Sequence, residues 1–302
     1  MNLDEIKERT IGRHSPLRIW AGQAKFRSSQ FVANRAVPVY RRVGRIKGPI
    51  ADRHLFVIAH PRSGSTVLTH VLHGHSDIAG FGEHHVSYKS ISDLEQLEAR
   101  TAYYAREPRL HADYALDKIV WNQHTISPEI LAAPTSRFIF LVRTPGETFE
   151  SYQRMFPNLS TDADRYRSYR RRLDGMVEQA NTIDDPQRAF TLTYDELTQN
   201  TSDVLERLTG FLELDSPLLS DYELTSKTGS QSWGDPSANI KAGKVLKLEQ
   251  KGGGIDPEVR EPAENLFRST VRSLTAVTAT PSSPALPGTP PEAAHRESPP
   301  LD

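Results

Sequence analysis

Short apolar runs alternate along this chain with stretches of helical period. Leu55-Phe56-Val57-Ile58-Ala59, Arg137-Phe138-Ile139-Phe140-Leu141-Val142 and Ala189-Phe190-Thr191-Leu192-Thr193 are too short for helices and lie between polar segments. They read as strands, and with Tyr114-Ala115-Leu116 they predict strands over 54–59, 114–119, 137–142 and 189–193. Between them the apolar positions recur on one helical face: Val67, Leu68, Val71 and Leu72; Phe149, Tyr152 and Phe156; Val204, Leu205, Leu208, Phe211 and Leu212. Strands apolar on both sides, separated by amphipathic helices, predict an α/β fold with a parallel sheet covered by helices on both faces. Ligands of such sheets sit beyond the C-terminal strand ends.

Three strand-to-helix junctions carry the chemistry. The first is His60-Pro61-Arg62-Ser63-Gly64-Ser65-Thr66. Gly64 permits a sharp turn, Ser63, Ser65 and Thr66 add hydroxyl donors, and Arg62 adds a fixed positive charge. The following helix offers free N–H groups and the positive end of its dipole, so the junction suits a phosphate-like anion. It is not a Walker A loop, because Ser65 stands where that motif needs lysine. At the second junction Arg143 ends a strand and Thr144-Pro145-Gly146-Glu147 opens a helix, with Thr144 as N-cap, Pro145 at the first helical position and Glu147 completing a capping box. Ser151 follows Arg143 by eight residues. At the third, Tyr194-Asp195-Glu196-Leu197 follows a strand.

Pro-Arg-Ser-Gly-Ser-Thr at 61–66 resembles the 5′-phosphosulfate loop of sulfotransferases that use 3′-phosphoadenosine 5′-phosphosulfate (PAPS). Arg143 and Ser151 resemble the strand-end arginine and helical serine with which that family holds the 3′-phosphate. Tyr194-Asp195-Glu196-Leu197 is similar to the family's Tyr-Glu-Asp-Leu with the acidic order reversed, which implies that Tyr194 approaches the nucleotide. The resemblance covers about residues 54–245. It implies a P-loop-type sheet, PAPS as co-substrate, no metal, and Arg62, Ser63, Gly64, Ser65, Thr66, Arg143, Ser151 and Tyr194 as cofactor-binding residues.

The same resemblance names catalytic candidates. His75-Ser76-Asp77-Ile78-Ala79-Gly80-Phe81-Gly82-Glu83 resembles the His-Pro…Gly-Glu run of members acting on sugars and tyrosine, where the glutamate is the base; Ser76 replaces the usual proline. Glu83 is thus the expected base, reached through a short strand or turn from Ile78, and His84 and His85 are the runners-up. Leu116-Asp117-Lys118 with Asn122 resembles an Asp-Lys…Asn motif and implies Lys118 at the sulfuryl oxygens or the acceptor. Asp117 at the end of an apolar strand also has the form of a Walker B aspartate. Arg62 is expected to stabilise the transferring group. The segment from Trp233-Gly234-Asp235-Pro236 to Lys244 resembles the Gly-Asp-Pro stretch of bacterial members, and Lys241 is the expected phosphate ligand there, with Lys244 as alternative.

Composition then limits the setting. The 302 residues are 37% hydrophobic and 25% charged with net charge −1, which gives no global bias toward nucleic acid. There is no cysteine, and no run approaches the ~18 apolar residues of a membrane span. His70, His73 and His75 lack the spacing of a metal motif. The absence of an apolar leader makes the cytoplasm the expected location. Residues 1–50 hold eleven Lys and Arg against three Asp and Glu and form a basic arm, either packed on the core or lying peripherally on anionic lipid. Residues 51–278 form the catalytic domain, and Pro-rich residues 279–302 an expected disordered tail. The reading is a sulfotransferase moving a sulfuryl group from PAPS to a hydroxyl of a small-molecule, glycolipid or carbohydrate acceptor. The alternatives are a nucleotide kinase or NTPase, and a non-catalytic nucleotide-binding module.

Overall fold

The computed structural model describes residues 31–42, 51–80, 82–106, 112–155, 161–224, 239–246 and 254–279. Helix α1 covers residues 31–42. Then follow β1 (Arg53–Ala59), α2 (Ser65–His73), β2 (Ile78–Ala79), α3 (Ser92–Ala105), β3 (Tyr114–Ile119), α4 (Pro128–Ala132), β4 (Ser136–Val142), α5 (Pro145–Met155), α6 (Asp162–Thr182), β5 (Ala189–Thr193), α7 (Tyr194–Gln199), α8 (Thr201–Leu212) and α9 (Pro257–Val277). Short 3-10 turns occupy Pro186–Arg188 and Asn239–Ala242.

The sheet is five-stranded and parallel, in the order β2-β3-β1-β4-β5. All four strands read from the apolar runs are present, and β2 is the short strand expected at Ile78. Side chains of β1 alternate between two cores, as the pleat requires. Leu55, Val57 and Ala59 meet Leu68, Val71 and Leu72 of α2 and the apolar face of α8. Phe56 and Ile58 meet Leu94 and Leu97 of α3, Leu173 and Met176 of α6, and Leu274 of α9. Helices thus cover both faces, and the α/β class read from the pattern is the class observed.

Gly80 lets the chain leave β2 for Glu83. Its φ is 124°, and a Cβ there would come within 2.3 Å of the Leu116 carbonyl of β3. Only a glycine passes this close to the strand.

Of the basic arm, residues 31–42 are described. α1 buries Ala33 and Val37 and docks on α3 through hydrogen bonds from Arg100 to Asn34 and from Arg41 to Glu95 (3.0 Å). Phe31, Val32 and Val39 are exposed. The rest of the arm, the tail from residue 280 and the 233–236 segment lie outside the described residues. Among the described residues no helix is long and apolar enough to cross a membrane.

Candidate functional site

The first and second junctions meet at the C-terminal edge of the sheet. β1 and β4 are neighbours, so the 60–66 loop and Arg143 emerge side by side. Arg62 donates from Nε to Ser151 Oγ at 2.9 Å. Arg143 donates from Nη1 to the Arg62 carbonyl at 3.2 Å and from Nε to Glu147 at 3.1 Å. The expected capping box around Glu147 is therefore altered. Its carboxylate accepts from the Arg143 guanidinium and the Thr144 hydroxyl (3.3 Å), because the charged donor is the stronger partner.

Tyr194 joins the same cluster. The Arg143 guanidinium lies 4.0 Å from the centroid of its ring. Gly64 has φ 91°, and a Cβ there would stand 2.2 Å from the Tyr194 ring. The glycine is thus required twice, for the left-handed turn before α2 and for the closeness of the tyrosine. Tyr194 is held by a complete capping box at the start of α7, with Thr193 and Glu196 bonding reciprocally. Gly64→Ala should cost about 1–2 kcal/mol from backbone strain alone. A thermal melt should show Tm lowered by several degrees, with the added clash loosening Tyr194.

The loop can hold an anion. Val67 and Leu68 both donate to the Gly64 carbonyl, at 3.0 and 3.3 Å, so the first-turn amides before them have no acceptor within the helix. Ser63 is fully buried, and its Oγ has no hydrogen-bond partner among the described residues. Lys118 brings a third cation. β3 flanks β1 on the other side, with Val57 opposite Lys118, and the ammonium donates to Thr66 Oγ1 at 3.2 Å.

His60 links the two arginine-bearing junctions. Burial pushes its imidazole down to about 3, so the ring is neutral. Nδ1–H donates to the Pro61 carbonyl and Nε2 accepts from the Arg143 N–H, each at 3.0 Å. Arg172 of α6 clamps the strand ends from below, donating to the carbonyls of Ala59 (2.7 Å) and Ile119 (2.6 Å). Burial pushes its guanidinium down to about 10. Neither role was read from the sequence. For Arg172 a signal existed, since it shares the apolar stripe of Tyr169, Leu173 and Met176, where a cation needs a buried reason.

Glu83 is almost buried, and His85 Nε2 lies 3.5 Å from its Oε2. Tyr152, one residue beyond Ser151, feels both Arg62 and Glu83. Burial raises its phenol strongly, Arg62 opposes this and Glu83 adds to it, so the hydroxyl stays protonated. Glu83 and Arg62 of the 60–66 loop are thus both close enough to Tyr152 to act on its phenol. His124 adds a second imidazole, with its ring centroid 5.8 Å from that of His85. Burial pushes it down to about 4, with His85 adding to the effect. Neither Tyr152 nor His124 was expected at the site from sequence.

Asp117 is closed. Its Oδ1 accepts from the N–H groups of His84 (2.9 Å) and Lys118 (2.7 Å), and its Oδ2 from the Tyr88 hydroxyl (2.7 Å). A Walker B aspartate must turn an oxygen to a metal-bound water, and this one is fully buried. Lys241 is exposed on the turn Asn239–Ala242. That turn reaches α2 indirectly: Tyr222 bonds the Ile240 carbonyl (3.2 Å) and lies against His70 with the rings tilted, and His70 bonds the Thr66 carbonyl (2.8 Å). Lys241 is thus not brought against the other candidates by any direct contact in the described residues.

Comparison with known proteins bears on this chain at two levels. Among curated proteins no relative matches the sequence. Solved structures similar to it include the sulfotransferase domain from the curacin biosynthetic pathway, 20% identical, covering 70% of this chain and 96% of that one with a TM-score of 0.48. Mouse sulfotransferase SULT7A1 complexed with PAP is 16% identical over 74% of this chain and 89% of that one, with a TM-score of 0.46. The sulfotransferase STF9 from Mycobacterium avium is 12% identical over 79% and 81%, with a TM-score of 0.41. Residues 93–217, from α3 to just past α8, match the sequence profile described as the Sulfotransferase family. This stretch holds Lys118, Arg143, Ser151 and Tyr194 but neither the 60–66 loop nor Glu83. The family that the chain resembles in its junction motifs, and whose profile its residues 93–217 match, is the sulfotransferases.

Proposed function

We propose that the protein transfers a sulfuryl group from PAPS to a hydroxyl of a small-molecule, lipid or carbohydrate acceptor. The observation that carries this reading is the junction of the two arginine motifs: Arg62 reaches Ser151, and Arg143 reaches the Arg62 carbonyl. Two segments about eighty residues apart, each read as half of one nucleotide site, share hydrogen bonds. The residues present also fit the co-substrate. Arg62, Arg143 and Lys118 surround the start of α2, and the orphaned Ser63 hydroxyl lies within the loop.

In the proposed reaction the acceptor oxygen attacks sulfur in line with the bond to the 5′-phosphate. The new O–S bond forms as the phosphate–sulfur bond breaks. Glu83 takes the acceptor proton, and 3′-phosphoadenosine 5′-phosphate (PAP) departs. Arg62, Lys118 and the first-turn amides of α2 stabilise charge on the transferring oxygens and the departing phosphate. Tyr152, kept protonated, offers a hydrogen bond in the same space. The kinase alternative would need Asp117 free for Mg²⁺, and its oxygens are occupied.

Calorimetry tests the nucleotide half of the reading. PAP is expected to bind without metal and more tightly than AMP by roughly 1.5–3 kcal/mol, the range for a charge-assisted hydrogen bond. Arg143 and Ser151 give the 3′-phosphate its partners. Equal affinity for the two nucleotides would remove the 3′-phosphate from this account.

A further inference from the structure

The mechanism leaves one buried acid unused. Asp117 ends the apolar stretch of β3, is fully buried, and has its carboxylate bonded on three sides. Two of those bonds, from His84 N–H and the Tyr88 hydroxyl, come from the irregular segment that carries Glu83. That segment has little regular structure of its own. It is also tied to the 123–127 stretch, by the bridge between Tyr88 and Ile126 and by the bonds of Ser87 with Gln123 and Thr125, and His85 sits in it with φ 54°, a conformation held only where the surroundings impose it. Asp117 is thus the point at which β3 grips the segment one residue after Glu83.

We propose that Asp117 is a positioning residue for Glu83: by holding the His84 N–H and the Tyr88 hydroxyl it fixes the 83–88 segment on β3, so that Glu83 is kept beside Tyr152, the residue it shares with Arg62. The inference rests on the reading of Glu83 as the base. Adjacent residues of β3 divide the work, since side chains alternate along a strand. Asp117 points to the core side and holds the base segment, while Lys118 points to the loop side and meets Thr66.

The charge on Asp117 supports a role beyond folding. Burial pushes its carboxyl up to about 7; the bonds from Tyr88, His84 and Lys118 oppose this, and Glu83 adds to it. The groups facing it are Glu83, Tyr88 and Lys118, with Arg100 and Asp93 of α3 acting on Tyr88. A carboxyl raised above its unfolded value of 3.8 favours the folded state most at low pH. That contribution falls as pH rises from about 4 to about 7. At neutral pH the ionised Asp117 therefore costs stability, and asparagine could accept the same two N–H bonds without the charge.

The test uses the full chain, labelled PAPS and pooled cell-extract metabolites as acceptors. Asp117→Ala removes the grip and should lower kcat about 10²-fold, the scale of an ångström-sized misplacement, with PAP affinity within about twofold of the parent. Asp117→Asn keeps the two N–H bonds at Oδ1, lets the amide nitrogen donate to the Tyr88 oxygen instead of accepting from it, and should recover most of that loss. In a Glu83→Gln background Asp117→Ala should add no further loss of kcat, because residues acting through one group are not additive. A full additional loss in that background would overturn the proposal. Normal turnover in Glu83→Gln alone would instead refute Glu83 as base. If Asp117→Ala does not fold, Asp117→Asn and Tyr88→Phe decide. Asp117→Asn should match or exceed the parent's Tm at neutral pH and keep a kcat close to the parent's, whereas Tyr88→Phe, which removes the second hold on the segment, should lower kcat severalfold with PAP affinity unchanged and add no loss in the Glu83→Gln background. A lower Tm in Tyr88→Phe with unchanged kcat would make Asp117 a structural residue only.

Discussion

Glu83→Gln is expected to lower kcat by about 10²–10⁴-fold, the usual range for loss of a general base. PAP affinity should stay the same. Glutamine keeps the size and shape of the side chain and the hydrogen-bonding capacity of the segment, so the change isolates proton abstraction. Glu83 is nearly buried and, like Arg62, acts on the Tyr152 phenol, so the base is placed beside the site and not within the 60–66 loop that would hold the nucleotide. The loss should therefore appear in kcat and not in nucleotide binding. Near-normal turnover would move the role to His85, whose Nε2 lies 3.5 Å from the carboxylate, and separate substitutions of His84 and His85 would then decide between them.

Arg62→Ala should behave differently. The guanidinium stands at the loop, bonded to Ser151, and would touch the phosphosulfate both before and during transfer. Its removal is expected to reduce turnover by about 10²–10³-fold, as for other donors to developing charge. Unlike Glu83→Gln, it should also weaken PAP binding. Arg62 has φ 68°, and alanine there keeps the backbone cost without the contact that offsets it. Tm should accordingly fall slightly in this variant and not in Glu83→Gln. Equal PAP affinity for parent and Arg62→Ala would separate the arginine from the nucleotide.

The parts of the fold legible in sequence were those with local causes. β1, β3, β4 and β5 bury both sides because helices cover both faces, so each stood out as a short run of mostly apolar residues, interrupted in β3 by Asp117 and Lys118. The turn at Gly64 and the cap at Thr193 follow from residue types within a few positions of one another. Strand-end location then brought Arg62 and Arg143 together, because parallel neighbours expose their C-terminal ends on one edge. What stayed hidden depends on distant backbone. His60 is neutral because it is buried between Pro61 and Arg143, and Arg172 is held by carbonyls of two strands far from it in sequence. Their hydrogen bonds run to backbone groups, which residue types at a distance do not mark. Asp117 shows the opposite failure. Its sequence context allowed an open Walker-type aspartate, and only the packing of Tyr88 and His84 closes it. Glu147 was read as a cap and is drawn instead to Arg143, since a charged donor one turn away outcompetes a backbone amide.

The central claim is that the donor is PAPS and the transferred group is sulfuryl. Its most direct test is incubation of the full chain with sulfur-labelled PAPS and pooled cell-extract metabolites in the presence of a chelator, followed by mass spectrometry. The account predicts stoichiometric release of PAP and appearance of a labelled product heavier than its precursor by one SO₃. Intact PAPS after prolonged incubation, together with magnesium-dependent turnover of ATP, would contradict it.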